Sequence, residues 1–356
     1  MARTTLTKTG LAVILMSALA GLARAESFGE IPAGPVGGKA PPSVRNWTPQ
    51  VIFGEDDRFD PHKVPRDFRF AHFADSVVSL FNIFDIELDG AGRAKLKTAP
   101  YGSEYELREG ERFYHQPTGG ECSGALVAPD LVLTAGHCIT NELMCRNAVR
   151  FVFGFTEKGD GSDPSIVPAS EVYSCAGLAA HRCEWLKERG ADYALVRLDR
   201  PVPNHRPLRI DRGGQIKEGT RLFTIGHPSN LPTKIVVDGL IRDSSPEDYF
   251  VAELDAFKGS SGSAVFDART GLILGVVVRG EKDFVRHEDG RTVNVLPPGG
   301  GRGEDIAKIH DIIQLIPEPV ADAVVRQWSL RLNKQFNSQQ RIREILNLRV
   351  FEERKP

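Results

Sequence analysis

The sequence lacks a strong charge imbalance and has few of the residues that mark metal centres. It contains 45 Lys and Arg residues against 47 Asp and Glu residues, and its formal net charge is −2. This balance gives no electrostatic reason to expect nucleic acid or an anionic membrane as the main partner. The five cysteines show no close double-cysteine spacing and the nine histidines are scattered. We therefore expect neither a metal centre nor a cofactor.

Long hydrophobic runs are also scarce, and the one clear case lies at the N-terminus. Arg3 and Lys8 precede an apolar run from Gly10 to Ala23, and Ala23-Arg24-Ala25 follows. This arrangement predicts a signal peptide over residues 1–25, and no later run is long enough to cross a bilayer. The sequence thus predicts a secreted or periplasmic protein in a compartment where disulfides persist. Because the cysteine count is odd, at least one thiol falls outside any intramolecular bridge.

The remaining chain divides by composition into three parts. Residues 26–50 are rich in Pro and Gly and are interpreted as a linker or pro-segment. From residue 51 to about 280, short β-like runs alternate with turn residues, which favours an all-β fold of antiparallel strands. The domain is predicted to extend over residues 51–316, through a Gly/Pro-rich hinge at 296–305 and a run at 306–316 with helical spacing.

The C-terminal part, residues 317–356, is predicted to be an α-helical extension. Pro317 and Pro319 suit a first helical turn, and an apolar side chain then recurs every four residues from Val320 to Phe336. We interpret this stripe as a face that packs on the body of the protein. The sequence shows no internal repeat.

A cysteine-bracketed hairpin is the strongest local signal for chemistry. In "GGECSGALVAPDLVLTAGHC", residues 119–138, two β-like runs flank a turn at Pro129-Asp130 and deliver His137 to a loop. A bridge between Cys122 and Cys138 would fix the direction of the imidazole. A general base needs this, because its nitrogen must lie within hydrogen-bond reach of a nucleophile.

Three segments resemble motifs of the chymotrypsin-like (trypsin-like) serine peptidases. "TAGHC" at 134–138 resembles the histidine motif, "GADYALVRLDRPV" at 190–202 the aspartate motif, and "GSSGSAV" at 259–265 the nucleophile motif. His137, Asp192 and Ser261 follow in the order of that superfamily, 55 and 69 residues apart. The resemblance spans about residues 51 to 280. It implies a double antiparallel β-barrel that hydrolyses peptide bonds of protein or peptide substrates.

Further segments are similar to the bacterial glutamyl endopeptidase-like branch. These are "VIFGEDDR" at 51–58, "IGHP" at 225–228 and "LDAFKGSSGSAVF" at 254–266. The first of them resembles the start of the mature enzymes of that branch. This resemblance implies a zymogen whose pro-segment is removed near Gln50.

The motifs assign a role to each candidate residue. Ser261 is the nucleophile, His137 the base, and Asp192 the group that orients His137. The backbone N–H groups of Gly259 and Ser261 are expected to form the oxyanion hole. We choose Asp192 over Asp199, because Asp192 opens an apolar run whereas Asp199 lies in a turn.

Two positions depart from relatives of the superfamily. Ser260 stands where the digestive and clotting members have an Asp that receives the new N-terminal amine, so that activation route is missing. Export-linked removal of the pro-segment, or no zymogen at all, is expected instead. At the position that is His in glutamyl-specific enzymes the chain has Val277, which makes strict Glu specificity doubtful.

The candidate substrate-binding residues have open interpretations. Asp255 lies six positions before Ser261, where an acidic residue selects Arg or Lys in trypsin-like members; a structural role is the alternative. Arg279 could attract an acidic side chain or act as an edge-strand charge. The strand from Val276 through Val277, Val278 and Arg279 to Gly280 is expected to pair with the substrate backbone.

The remaining cysteines allow two pairings, and the function has a rival. Cys145–Cys175 would leave Cys183 over, whereas Cys175–Cys183 would leave Cys145; the first resembles an extra bridge of the bacterial branch. His227 is interpreted as a turn or core histidine. The rival function is an exported pseudo-peptidase that binds extended peptides without cleaving them. An esterase or transferase on the same scaffold is a third possibility.

Overall fold

The computed structural model describes residues 52–184, 190–213 and 215–318. The predicted signal peptide and most of the predicted extension at 317–356 lie outside these residues, as does the segment 26–50. Within the described part, no helix is long and apolar enough to span a bilayer.

The first half of the described chain forms a closed barrel of six antiparallel strands. Each strand pairs with two neighbours, in the order β1-β2-β3-β6-β5-β4 and back to β1. The strands are β1 (Val77–Asn82), β2 (Cys122–Ala128), β3 (Leu131–Thr134), β4 (Val149–Phe153), β5 (Val172–Cys183) and β6 (Asp192–Leu198). Their interior-facing side chains are largely aliphatic and fully buried, which suits small barrels filled by side chains.

The second half repeats the same topology. Its order is β7-β8-β9-β12-β11-β10 and back to β7, again antiparallel throughout. The strands are β7 (Arg221–Gly226), β8 (Lys234–Asp243), β9 (Tyr249–Glu253), β10 (Ala264–Asp267), β11 (Ile273–Arg279) and β12 (Glu304–Lys308). Full closure leaves no exposed barrel edge. The all-β, double-barrel prediction is confirmed.

Short elements connect and flank the barrels. The α-helices are α1 (Tyr101–Glu104) and α2 (Glu142–Ala148). Further short strands lie at Ile52–Phe53, Arg58–Phe59, Ile86–Leu88, Arg93–Leu96, Ala99–Pro100, Pro117–Thr118, Ile166–Pro168, Phe284–His287, Gly290–Val293 and Val295–Leu296. The 3-10 helices are Pro61–Lys63, Ala71–Ser76, Ile83–Asp85, Gly136–Cys138, Ala169–Glu171, Pro228–Asn230 and His310–Leu315.

One sequence expectation fails in the second barrel. The helical spacing read from Ile306 onward is wrong for the segment Glu304–Lys308, which is strand β12. It pairs with β9 on one side and β11 on the other, and it closes the barrel. Two ladders of backbone hydrogen bonds outweigh a local spacing preference. Only the following His310–Leu315 turns helically, as a 3-10 helix.

The two barrels share one apolar core, and aromatic rings pack the segment before β1 on the second barrel. Phe223 of β7 stacks on Phe266 of β10 at 4.6 Å and on Phe70 of the first half at 5.1 Å. The largest buried apolar cluster contains residues of both barrels. The two barrels are therefore packed together through a shared core.

Candidate active site

The loop after β3 presents His137 and is held at both sides. His137 lies in the 3-10 turn Gly136–Cys138, and its side chain is 27% exposed. A disulfide joins Cys138 to Cys122 at the start of β2. Gly136 is needed for close approach, since a Cβ there would lie 2.0 Å from the Arg182 carbonyl oxygen. The loop therefore has little freedom to turn the imidazole away.

Asp192, at the start of β6, directs both of its carboxylate oxygens at His137. Oδ2 lies 2.8 Å from His137 Nδ1, and Oδ1 accepts the backbone N–H of His137 at 2.9 Å. The Asp192 side chain is fully buried. With Nδ1 donating to this carboxylate, the Nε2 atom is left to accept a proton from another group.

The other candidate aspartates have structural contacts. Asp199 accepts the backbone N–H of Ser174 and pairs with its neighbour Arg200. Asp130, in the β2–β3 turn, pairs with Arg197 of β6 at 2.5 Å. Neither carboxylate has a described contact with His137.

The segment before β10 makes two consecutive tight turns that display Ser261. Ser260 N–H donates to Phe257 C=O at 2.7 Å, and Ser263 N–H donates to Ser260 C=O at 2.8 Å. Gly259 and Gly262 have φ values of +94° and +83°, which glycine adopts without strain. Ser261 occupies the second position of the second turn.

Exposure distinguishes the three serines of "GSSGS". Ser260 and Ser263 are 3% and 1% exposed, whereas Ser261 is half-buried. Ser260 Oγ accepts the backbone N–H of Phe257 at 3.1 Å and so closes the first turn on itself. Of these three serines, Ser261 is the one that a substrate carbonyl can reach.

Contacts between the barrels place Ser261 beside the histidine loop. Ser123 N–H donates to Ser261 C=O at 2.8 Å, and Cys138 Sγ lies 3.7 Å from the same carbonyl oxygen. Cys138 adjoins His137 in sequence. The backbone of Ser261 therefore lies beside the histidine loop at the junction of the barrels.

The two backbone N–H groups predicted to form the oxyanion hole are not used in hydrogen bonds within the described residues. Within the described residues, neither Gly259 N–H nor Ser261 N–H donates to a protein acceptor. A side chain at Gly259 would meet Asn230, because a Cβ there would lie 2.1 Å from its Oδ1. Backbone N–H groups in this arrangement can stabilise an oxyanion that develops on a carbonyl attacked by Ser261.

Asp255 is buried, and its carboxylate is held by backbone groups of the N-terminal segment. It is 3% exposed, and it accepts the backbone N–H of Phe53 at 2.8 Å and of Asp57 at 3.1 Å. Burial raises the pKa of Asp255 well above its ordinary value, and the adjacent Asp57 carboxyl raises it further. The structural interpretation of Asp255 therefore replaces the substrate-binding one.

The substrate-binding expectation for Val277 needs correction. The backbone of Val277 is used by the nucleophile segment, since Gly262 N–H donates to its C=O and its N–H donates to Ser263 C=O. The Val277 side chain is fully buried in the second barrel. Its backbone is thus not open to pair with a substrate.

Arg279 is neither an open anion receptor nor an edge charge. It is 8% exposed, forms an ion pair with Asp305 at 3.2 Å and lies over the Tyr249 ring. The pairing of a substrate with Val278 and Gly280, on either side of Arg279, stays a prediction.

The second disulfide and His227 have structural roles. Disulfide bonds were expected, and the second one joins Cys145 to Cys175, so the Cys175–Cys183 alternative does not apply. His227 is 1% exposed, and its Nδ1 lies 3.0 Å from the Leu231 carbonyl oxygen. Burial lowers the pKa of His227 to about 4.

The side chains of Cys122, His137 and Cys138 come within 4.8 Å of one another, a spacing that metal ligands can have. Both sulfurs are bonded to each other in a disulfide, so they cannot serve as thiolate ligands. The cluster is a bridge that supports a histidine loop.

Sequence reasoning missed two buried polar residues at this site, Ser123 and Asp283. Ser123 Oγ contacts the Gly259 carbonyl oxygen at 2.8 Å, and Asp283 accepts the backbone N–H of Lys258 at 3.2 Å. Burial raises the pKa of Asp283 to about 7. Ser123 could have been noticed beside Cys122, but Asp283 has no local signal.

Comparison with known proteins agrees with this geometry. Residues 122–276 match the family model of the trypsin-like peptidase domain. The matched segment contains all three sequence motifs, and the match confirms the superfamily that they indicate. The family acts on protein or peptide substrates.

Curated relatives are serine proteases of distant sequence. The chain is 29% identical to the cercarial protease of Schistosoma mansoni over 136 residues, covering 36% of this chain and 46% of the relative. It is 25% identical to serine protease 23 of Mus musculus over 207 residues, covering 51% and 54%. The chain thus spans about half the length of the curated relatives it matches.

Solved structures with detectable likeness include a serine endoprotease from Yersinia pestis, with a TM-score of 0.40 and 14% identity over 74% of this chain and 68% of that one. A Glu endopeptidase in complex with MPD gives a TM-score of 0.42 and 16% identity over 77% and 100%.

Proposed function

We propose that this protein is a serine endopeptidase that hydrolyses peptide bonds through an acyl-enzyme intermediate, with His137, Asp192 and Ser261 as its triad. The observation that carries the proposal is the pair of contacts from the buried Asp192 carboxylate to His137, at 2.8 Å and 2.9 Å. A buried carboxylate that uses both oxygens on one histidine fixes that ring and stabilises its protonated form.

The chemistry follows from the positions of the three groups. Ser261 Oγ attacks the scissile carbonyl while His137 Nε2 takes its proton, and the N–H groups of Gly259 and Ser261 bind the oxyanion. His137 then gives the proton to the leaving amine as the C–N bond breaks. A water molecule repeats the attack on the ester and frees Ser261.

We propose that the enzyme acts outside the cytoplasm, after removal of residues 1–25 and of a pro-segment at 26–50. Two disulfides support this, because such bonds persist in oxidising compartments. Ser260 Oγ satisfies the Phe257 N–H itself at 3.1 Å, so maturation does not require an ion pair at this position. The peptidase domain then comprises residues 51–316, followed by the extension 317–356.

Fluorophosphonate labelling and casein digestion of the purified mature protein test the proposal. Wild type should be labelled and should cleave casein. Ser261→Ala should lose labelling entirely, since the reactive oxygen is gone, and Ser263→Ala, a buried serine two positions away, should retain most of it. An unlabelled, inactive wild type would favour the peptide-binding pseudo-peptidase. Labelling that survives Ser261→Ala would refute the choice of nucleophile.

A further inference from the structure

The turn Phe257–Ser260 decides whether an oxyanion donor exists. Its central peptide group, between Lys258 and Gly259, carries the Gly259 N–H. Rotation of that group by about 180° interconverts the two common turn types and would present the Lys258 carbonyl instead. Gly259 has φ +94°, which belongs to the turn type with the N–H presented. The groups that hold the flanking peptides therefore matter for catalysis.

Ser123 holds one of these flanking peptides from the opposite barrel. Its Oγ accepts the backbone N–H of His227 at 2.9 Å and lies 2.8 Å from the Gly259 carbonyl oxygen. A hydroxyl has one proton, and the N–H of His227 needs an acceptor, so the Ser123 proton points at Gly259. The direction of this hydrogen bond is thus fixed.

Asp283 holds the other flanking peptide from the second barrel. Its carboxylate oxygens lie 3.2 Å and 3.4 Å from the backbone nitrogen of Lys258, which donates to them. The carbonyl of the same peptide belongs to Phe257, and it accepts Ser260 N–H at 2.7 Å.

These contacts form one chain of hydrogen bonds that all run in the same direction. It begins at His227 N–H, passes through the Ser123 hydroxyl and the two flanking peptides, and ends on the Asp283 carboxylate. Each bond in such a chain polarises the next one. His227 is 1% exposed and Asp283 is 5% exposed, so both ends of the chain of hydrogen bonds are shielded from water.

We propose that Ser123 and Asp283 are positioning residues that clamp the oxyanion turn from the two barrels. The inference rests on the proposed peptidase function. Neither side chain touches the reacting atoms; both act through the orientation of the backbone that supplies the Gly259 N–H.

The test is pre-steady-state hydrolysis of p-nitrophenyl acetate, because the burst amplitude counts folded active sites and the burst rate reports acylation. Ser123→Ala should lower the burst rate about tenfold, less than the 10²–10³ typical of removing an oxyanion donor itself. The affinity for phenylboronic acid, which forms a tetrahedral anionic adduct, should fall by a similar factor. Substrate KM should change little.

Ser79→Ala is the matched control for Ser123→Ala. Ser79 lies directly opposite Ser123 in the β1–β2 ladder and is also fully buried. Its Oγ has no hydrogen-bond partner among the described residues. Removal of this hydroxyl should leave the burst rate and boronate affinity unchanged.

Two variants at Asp283 give a second test, which does not depend on whether Ser123→Ala folds. Asp283→Ala removes the acceptor for Lys258 N–H and should lower the burst rate about tenfold, by the same physical argument. Asp283→Asn keeps an acceptor oxygen in place and should recover most of that loss.

The outcomes distinguish failure of this inference from failure of the proposed peptidase function. A wild type that gives no burst and no fluorophosphonate labelling would overturn both. An active wild type, with Ser123→Ala and Asp283→Ala as fast per active site as Ser79→Ala, would overturn the clamp alone. Loss of burst amplitude at an unchanged rate would show that these residues serve folding only.

Discussion

At the scale of single residues, the two carboxylate oxygens of Asp192 make different contacts with His137. One oxygen contacts the His137 ring at 2.8 Å, and the other contacts the backbone N–H of the same residue at 2.9 Å. The backbone contact ties the loop to the carboxylate, so that ring and carboxylate cannot drift apart independently. The orienting group and its loop therefore behave as one unit.

Replacing Asp192 by Asn tests this unit. An Asn side chain can donate to His137 Nδ1, which would leave the proton on Nε2 and prevent that atom from acting as base. We expect kcat for a peptide or ester substrate to fall by about 10⁴ while the melting temperature changes by only a few degrees. Asp199→Asn, in the turn after β6, is the control and should retain wild-type kcat. A fall of less than about tenfold in Asp192→Asn would remove Asp192 from the triad.

At the scale of elements, the two disulfides have different positions relative to the site. Cys122–Cys138 spans 16 residues and anchors the histidine loop to β2. Cys145–Cys175 spans 30 residues and joins α2 to β5. None of the three proposed triad residues lies in the loop that this bridge closes. Both close loops of moderate length, so both should stabilise the fold, but only the first should influence His137.

Removing each bridge as a Cys→Ala pair distinguishes these roles. Each double variant should lose about 3 to 4 kcal/mol in the free energy of unfolding, from the greater entropy of the unfolded chain. Only Cys122→Ala with Cys138→Ala should also lower the burst rate per active site, by roughly tenfold, because an unanchored loop misorients the imidazole. Denaturant titration and burst kinetics measure the two effects separately. Equal burst rates in the two double variants would contradict the anchoring role.

The elements also show which features the sequence could predict. The proposed triad and the strands around it lie in contiguous motifs, each of which has its own glycines and apolar run. The Asp283 contact joins two segments 25 residues apart without any shared pattern. Strand β12 and the burial of Asp255 depend on pairing with distant strands and on the N-terminal segment. Long-range backbone pairing leaves little trace in local composition, which is why those positions were misjudged.

At the scale of the whole molecule, two barrels with one topology meet at a site that neither contains alone. The first barrel supplies His137, Asp192 and Ser123 of the proposed site, and the second supplies Ser261 and Asp283 with the proposed oxyanion turn. The chain nevertheless shows no internal sequence repeat, because the shared feature is the order of strand pairing and not the side chains. Any change in how the barrels pack would therefore alter the site before it altered either barrel.

The second barrel also buries acidic groups whose protonation links the fold to pH. Burial raises the pKa of Asp283 to about 7, against 3.8 for an ordinary aspartate. Burial likewise raises the pKa of Glu304 well above its usual range. Between about pH 4 and pH 7 the folded protein holds a proton on Asp283 that the unfolded chain releases, so the free energy of unfolding must fall as pH rises through this window.

Asp283→Asn should remove that dependence. The wild type should lose about 4 kcal/mol more than this variant between pH 4 and pH 8, since each tenfold change in proton affinity corresponds to about 1.4 kcal/mol. Urea titrations of both proteins at several pH values measure the difference. Glu288→Gln, at an exposed position in the same hairpin, is the control and should follow the wild type. Parallel curves for wild type and Asp283→Asn across the window would mean that Asp283 is ionised in the fold throughout. The Lys258 N–H and neighbouring cations would then offset the cost of burying that charge.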